Sequence, residues 1–116
     1  MLTFKFQIEI GSYTRTQSGS IARVKQKFHN KVREDAVLIK GEDDLWFANL
    51  KVLFKFRHQS FALVQWFEFH KTHQPSELMI YKKGGFDIIQ IASIIDLAQF
   101  YEKSKDLYYL NHHLYL

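Results

Sequence analysis

The chain has 116 residues, the usual size of one domain, and 47% of them are hydrophobic, so a packed core is expected over residues 1–116. The absence of cysteine excludes disulfides, thiolate zinc sites and cysteine nucleophiles. The net charge of +4 is unevenly distributed. Residues 1–33 carry seven Lys or Arg and one acid, whereas residues 34–116 carry nine Lys or Arg and eleven acids. Such asymmetry indicates a surface that faces a polyanion.

No segment has the pattern of a membrane span or a secretory signal. No apolar run approaches the roughly 20 residues that a spanning helix needs, and Lys5 interrupts the apolar start of the chain. We therefore expect a soluble intracellular domain without membrane contact, with the nucleus as a candidate location.

The first predicted element is a half-buried strand from Thr3 to Ile10. Its apolar residues alternate with polar ones and are expected on the buried face: Phe4, Phe6, Ile8 and Ile10. A polar loop, Gly11 to Gly19, follows.

The segment from Ser20 to about Val32 is predicted as a strand that carries a basic stripe. Each odd position of the stripe is a base or a histidine: Arg23, Lys25, Lys27, His29, Lys31 and Arg33. A strand collects alternate residues on one side, whereas a helix scatters them. The apolar residues of this segment also fit a helical spacing, so a helix remains the alternative.

The middle of the chain contains the clearest hairpin. A short strand in Glu34 to Lys40 and an acidic turn at Gly41 to Asp44 precede it. Asn49 to His58 and Phe61 to Phe69 then alternate, with Gln59-Ser60 as the predicted connection. The residues expected inside the first of these strands are Leu50, Val52, Phe54 and Phe56.

The last third of the chain completes a mainly β fold. The predicted elements are a strand at Leu78–Tyr81, a turn at Lys82–Gly85, one or two strands in Phe86–Ile95, a short helix within Ile94–Tyr101 and a closing strand or docked tail at Leu107–Leu116. About seven short strands with one short helix near the C-terminus predict a small single-domain barrel or sandwich.

The sequence contains no recognisable catalytic apparatus. Its acids cluster in loop-like contexts, Glu34-Asp35 and Glu42 to Asp44, and no phosphate loop, nucleophile elbow or dinucleotide fingerprint occurs. His70 and His73, like the adjacent pair His112-His113, are interpreted as surface imidazoles rather than metal ligands. We expect neither enzymatic activity nor a cofactor or metal.

The basic stripe predicts a nucleic-acid-binding surface, for DNA or RNA. Alternate strand residues lie about 6.6–6.8 Å apart, close to the phosphate repeat of an extended single strand, and each neutralised phosphate adds affinity by counterion release. The alternative is a solvated edge strand whose lysines block aggregation.

The aromatic residues support a second hypothesis, a protein-interaction or chromatin-peptide reader. Trp46, Trp66 and Tyr81 could form part of a cage for a methylated ammonium. Trp46 lies beside the acidic turn and is the aromatic residue expected to be exposed. A third hypothesis is an oligomerisation module that buries Leu107–Leu116 against a second copy.

Two hydrophobic blocks carry a resemblance to a known family. Leu53-Phe54-Lys55-Phe56 followed by Phe61-Ala62-Leu63-Val64-Gln65-Trp66-Phe67 is similar to a segment of proteins encoded by fungal DNA transposons of the Kyakuja–Dileera–Zisupton type. Further matching stretches extend the resemblance over residues 18–113: Ser20-Ile21-Ala22-Arg23-Val24, Asp87 to Ile94 and Tyr108 to Asn111.

The valine–x–tryptophan–phenylalanine strand also resembles the bromo-adjacent homology barrel of chromatin proteins. Both resemblances imply an accessory role, docking to DNA, chromatin or another protein. None of the transposase active-site acids can be placed in this chain, so nuclease activity is not implied.

Overall fold

The structure, a computed structural model, describes residues 8–24, 26–28, 31–33, 35–73 and 78–110. These residues form twelve strands, one 3-10 turn and no α-helix. The strands are β1 (Ile8–Gly11), β2 (Tyr13–Arg15), β3 (Ile21–Arg23), β4 (Gln26–Phe28), β5 (Lys31–Arg33), β6 (Ala36–Lys40), β7 (Leu45–Phe56), β8 (Gln59–His73), β9 (Leu78–Gln90), β10 (Ile94–Ala98), β11 (Phe100–Ser104) and β12 (Leu107–Leu110). The 3-10 turn is Ile91–Ser93.

One antiparallel sheet of eight strands organises the described residues. Seven strands follow the order β10–β6–β7–β8–β9–β12–β11, and β1 pairs with the second half of β7. The two end strands, β10 and β11, are consecutive in the chain and separated only by Gln99. The sheet is a nearly closed barrel, so the predicted mainly β, barrel-like class is confirmed.

One aromatic cluster, core B, lies on the face around which the sheet curls. All seven strands of the path contribute to it: Ala36, Phe47, Phe67, Met79, Tyr81, Ala98, Phe100, Tyr108 and Leu110. Phe100 of end strand β11 stacks on Phe67 of β8, with ring centroids 4.0 Å apart. An end strand can reach the middle of the sheet only because the sheet curls back on itself.

A second cluster, core A, covers the opposite face of the sheet. Its buried members are Ala22, Val37, Ile39, Ala48, Leu50, Leu53, Ala62, Val64 and Ile94. Ala22 belongs to β3, so the small β2–β3 hairpin packs on this face. Burial of a side chain such as Leu50 contributes roughly 2 kcal/mol to folding.

The β2–β3 hairpin is fastened to β10 by its loop. The Gln17 and Ser18 backbone N–H groups donate to the carbonyls of Ile94 and Ile95, over 3.1 and 2.9 Å. The hydroxyls of Ser18 and Ser20 donate to Asp96 Oδ1 over 2.8 and 3.1 Å. The Ser18 bond is the main cause of a lowered Asp96 pKa, and the backbone N–H of Leu97 and the Ser20 hydroxyl add to it.

The predicted central hairpin is confirmed, but its connection lies two residues earlier. Phe56 pairs with Gln59, so the loop is Arg57-His58 and Gln59-Ser60 belong to β8. Both loop residues have positive φ, 50° and 67°, as a type I′ turn requires, although neither is the glycine or asparagine that such turns prefer.

A β-bulge overturns the predicted inward face of β7. Leu50 pairs with Val64 and Val52 with Leu63, which leaves Lys51 as an extra residue. The bulge shifts the alternation by one position, so Leu53 rather than Val52, Phe54 and Phe56 faces core A.

The predicted burial of Ile10 is also wrong. Ile10 pairs with Phe54 and is 70% exposed, because β1 continues the face of β7 that points away from core A. Thr3 to Gln7 of the first predicted strand lie outside the described residues.

The single strand predicted from Ser20 to Val32 is divided into β3, β4 and β5. β4 and β5 pair with each other, with Lys27 opposite Val32 and Phe28 opposite Lys31. The chain therefore reverses direction within the segment, which alternation alone does not reveal.

Two further local predictions near the C-terminus are wrong. Lys82 to Gly85 form no turn; they lie inside β9, where Lys82 pairs with Glu68 and Lys83 with Phe67. No helix occurs within Ile94–Tyr101, which forms β10 and β11. β-branched Ile94 pairs with Ile39 of β6, and sheet pairing outweighs the weak helical pattern. The predicted closing strand is confirmed over Leu107–Leu110, and residues 111–116 lie outside the described ranges.

Candidate functional site

Two adjoining cavities lie where β6, β7 and β8 meet, one at the end of core A and the other at the edge of core B. The larger, which we call the Trp pocket, has a volume of about 450 Å³ and is walled chiefly by Ile39, Gly41, Trp46, Trp66, Glu68 and Ile89. The smaller, the side cavity, has about 350 Å³ and is walled chiefly by Asp44, Leu45, Trp46, Glu68, Phe69 and Tyr81. Trp46, Phe67 and Glu68 belong to both cavities.

Strand alternation brings the two tryptophans together. Trp46 pairs with Ile39, and Trp66 pairs with Ala48, two residues further along β7. Their side chains share the face of core A, and the rings meet edge to face with centroids 6.1 Å apart and 60° between planes. Trp46 is 50% exposed, so its predicted exposure is confirmed. The pair thus presents an aromatic wall to solvent.

A tight turn holds Trp46 in place. The Gly41 N–H donates to the Asp44 carbonyl over 2.8 Å and closes the turn between β6 and β7. A Cβ at Gly41 would lie 2.8 Å from Trp46 Cδ1, closer than such atoms approach. Only glycine leaves room for the indole at this position.

Glu68 places a carboxylate beside the two indoles. It follows Trp66 by two residues on β8 and therefore lies on the same face, and it lines both cavities. Gly84, opposite on β9, leaves the room that this side chain occupies, since a Cβ there would overlap the Glu68 carboxylate. Sequence reasoning missed Glu68, although its spacing from Trp66 was the available signal.

The surroundings of the cavities are acidic in a protein of positive net charge. Glu42, Asp43 and Asp44 of the turn are exposed, as is Glu68. Lys40 lines the Trp pocket and Lys82 pairs across the strands with Glu68, so carboxylates outnumber cations here. The local field therefore favours a cation.

Tyr81, the third aromatic residue of the predicted cage, lies in the side cavity rather than the Trp pocket. It is 7% exposed, and its ring packs edge to face on Phe69 and Phe47. Burial raises the pKa of the Tyr81 phenol above its ordinary value of 10.0, so the hydroxyl is neutral at physiological pH. The exposed Phe69, rather than Tyr81, lies at the rim of the side cavity.

The structure describes four positions of the basic stripe: 23, 27, 31 and 33. Arg23 ends β3 and is exposed, and its backbone N–H donates to Asp35 Oδ2 over 2.8 Å. The β4–β5 register puts position 27 on one face of that hairpin and positions 31 and 33 on the other. Lys25 and His29 lie outside the described residues.

Within the described part of the chain, no three His, Asp or Glu side chains are grouped to hold a metal ion. The same residues include no helix with the length and apolarity of a membrane span. Comparison with known proteins finds no matching family model, no matching curated protein and no matching solved structure.

Proposed function

We propose that this domain is a protein-interaction module that takes a cationic side chain of a partner peptide, lysine or its methylated forms, into the Trp pocket. The observation that carries the proposal is the half-exposed indole of Trp46, set edge to face on Trp66 with the Glu68 carboxylate alongside. An ammonium over an indole face gains about 0.5–2 kcal/mol from the ring quadrupole, and a carboxylate adds a Coulombic attraction.

A peptide fits this surface better than an isolated cation does. The side cavity adjoins the Trp pocket and has its own volume of about 350 Å³, room for a neighbouring side chain of the same partner. Leu45 and Phe69 at its walls are 59% and 56% exposed. The partner is therefore expected to present an apolar residue close to its lysine.

The proposal is tested by calorimetric titration with three forms of one short peptide whose central residue is lysine, trimethyllysine or norleucine. Norleucine keeps the alkyl stem and removes the charge, so it is expected to bind at least about tenfold more weakly, or about 1.4 kcal/mol. Trp46→Ala should abolish the preference for the charged forms. Tyr101→Ala is the matched control, since Tyr101 is 52% exposed and lies outside both cavities.

Equal binding of the three peptides, or unchanged binding by Trp46→Ala, would contradict the proposal. Glu68→Gln adds a test of the carboxylate, because it keeps the size of the side chain and removes its charge. Glu68→Gln should weaken binding of the lysine and trimethyllysine peptides and leave binding of the norleucine peptide unchanged.

The basic segment supports a second candidate function, nucleic-acid binding. β4 and β5 form a two-stranded ribbon, a shape that the DNA major groove admits, in the part of the chain where positive charge is concentrated. Replacement of Lys25, Lys27 and Lys31 together by Glu should abolish DNA or RNA binding, and the wild-type affinity should fall steeply with salt. The control with the same charge change replaces three exposed lysines elsewhere: Lys55, Lys71 and Lys105. Unaltered binding by the first variant would leave edge protection as the role of the stripe.

A further inference from the structure

The hairpin half of the sheet exposes an apolar face that no described element covers. On β1, β7, β8 and β9, the face opposite core A carries Ile10, Val52, Phe54, Leu63, Phe86 and Ile88, a set that we call the apolar face. Phe54 stacks on Phe61 of the neighbouring strand, with ring centroids 5.6 Å apart. Beyond the bulges at Lys51 and Gly84-Gly85, the same side of the sheet turns into core B.

This face is comparable in size to the largest apolar patch of a typical monomer. Ile10, Phe86 and Ile88 are 70%, 63% and 57% exposed. At about 200 Å² for a fully exposed large side chain, these three present on the order of 400 Å², and their partly exposed neighbours bring the face to on the order of 500 Å². The largest apolar patch on a soluble monomer is typically about 300–600 Å² and is often an interaction surface.

The area matches what a stable dimer needs. Apolar atoms make up about 60% of a protein–protein interface. A patch on the order of 500 Å² therefore implies about 800 Å² buried per partner, which is the standard size of a specific interface.

The chemistry of the face fits a second copy of this chain. The side chains that flank it on the same side of the strands are neutral amides, Gln59, Gln65 and Gln90, whereas the charged Glu9, Lys55 and Asp87 occupy positions of the opposite parity. One cation borders the face, since the Arg57 guanidinium lies 5.2 Å from the centroid of the Phe56 ring. The rest of the face is neutral, so it meets its own copy with little repulsion although the whole chain carries +4. Two sheets of identical twist also stack face to face at the aligned angle of β-sandwiches.

We propose that this domain forms a symmetric homodimer in which two apolar faces pack on each other as a β-sandwich. The contact is isologous, so Phe86 and Ile88 of each copy cover the Phe54–Phe61 pair of the other. The Trp pocket lies on the core A side of the sheet and stays accessible in the dimer. The dimer therefore presents two peptide-binding sites, and its existence does not depend on what they bind.

Sedimentation velocity of the full chain over a range of concentrations tests the dimer. The wild-type protein is expected to sediment with twice its mass of 13.9 kDa. Ile88→Glu should halve that mass, because it buries a carboxylate at the centre of the contact. Lys55→Gln changes the charge by the same amount at an exposed position of opposite parity and should stay dimeric.

Circular dichroism of both variants separates loss of the dimer from loss of the fold. A wild-type chain that stays monomeric at all concentrations overturns the proposal and leaves the face to a different protein or to a lipid surface. A dimer that survives Ile88→Glu also overturns it, since the contact would then lie elsewhere, for example at residues 107–116. Neither outcome bears on peptide binding by the Trp pocket.

Discussion

Gly41 is the residue on which the position of Trp46 most depends. In Gly41→Ala, the new Cβ would lie 2.5 Å from Trp46 Nε1 and 3.0 Å from the Asp44 carbonyl oxygen, so the ring must move from its present position. We expect charged peptides to bind at least about tenfold more weakly by calorimetry, equivalent to about 1.4 kcal/mol. Gly85→Ala is the control, because a Cβ at Gly85 meets nothing within 4 Å. An equal loss of affinity for the charged peptides in both variants would mean that Gly41 does not act through Trp46.

His58 carries backbone strain in the turn between β7 and β8. Its φ of 67° lies in the left-handed region, which costs a residue with a Cβ about 1–2 kcal/mol. His58→Gly should therefore raise the free energy of unfolding in urea by about 1 kcal/mol. Gln59→Gly, one residue later and inside β8, should lower it, since glycine weakens a strand interior by roughly 0.5–1 kcal/mol. A destabilised His58→Gly variant would show that the imidazole contributes more than the strain costs.

The β2–β3 hairpin should loosen from β10 in acid. The ordinary pKa of Asp96 is 3.8, and the hydrogen bond from Ser18 is the main cause that lowers it in the folded protein. A carboxylate with a lowered folded-state pKa stabilises the fold fully above its unfolded value, and the contribution disappears as pH falls through the folded-state pKa. Hydrogen exchange of the Gln17 and Ser18 amides should therefore accelerate, relative to the other strands, below pH 3.8.

Asp96→Asn should remove this acid dependence, because the amide has no charge to lose. Asp43→Asn, in the exposed turn between β6 and β7, should leave it intact. Protection of the Gln17 and Ser18 amides that does not change below pH 3.8 in the wild-type chain would contradict the role of Asp96.

The strands of the central hairpin could be predicted from alternation, but their inward faces could not. Alternation identifies β7 and β8, yet the bulge at Lys51 exchanges the two faces halfway along β7. The same limit explains β9, where Gly84-Gly85 look like a turn but form an irregularity in a continuous strand. A bulge depends on the partner strand, and one strand's own sequence does not contain that information.

The sequence also predicts only part of the candidate site, because the contacts within the site depend on how the strands pair. Trp46 was expected to be exposed because it follows an acidic turn, whereas its contact with Trp66 depends on the β6–β7–β8 register. Tyr81 is separated from both indoles in sequence, and only the path of β9 shows that it lines the side cavity.

Closure of the barrel depends on Phe100, which no local pattern indicates. Its ring lies 4.0, 5.3 and 5.5 Å from the rings of Phe67, Tyr81 and Phe47. Phe100→Ala should lower the free energy of unfolding by about 3 kcal/mol, since it removes the contact between an end strand and the centre of the sheet. Glu102→Ala, at an exposed position of β11, should change it by less than about 0.5 kcal/mol. A Phe100→Ala variant as stable as the wild type would show that the end strand is not needed to close the sheet.

The fold as a whole combines one barrel-like sheet with two surfaces for which we propose partners, the Trp pocket on the core A side and the apolar face opposite. Their separation would let the proposed peptide binding and self-association occur together. Core composition and strand alternation predict such a mainly β domain, but the pairing of β10 with β6 and of β12 with β9 joins segments far apart in the chain. Those pairings decide which aromatic residues are buried in core B and which are exposed.

The indole N–H signals in a proton–nitrogen NMR spectrum report directly on whether the Trp pocket binds a cationic side chain. The chain has only two tryptophans, and both line the Trp pocket. On titration with the trimethyllysine peptide, both indole signals should shift together and saturate, whereas the norleucine peptide should need at least about tenfold higher concentrations for the same shifts. If the trimethyllysine peptide shifts neither signal, the Trp pocket is not a site for cationic side chains.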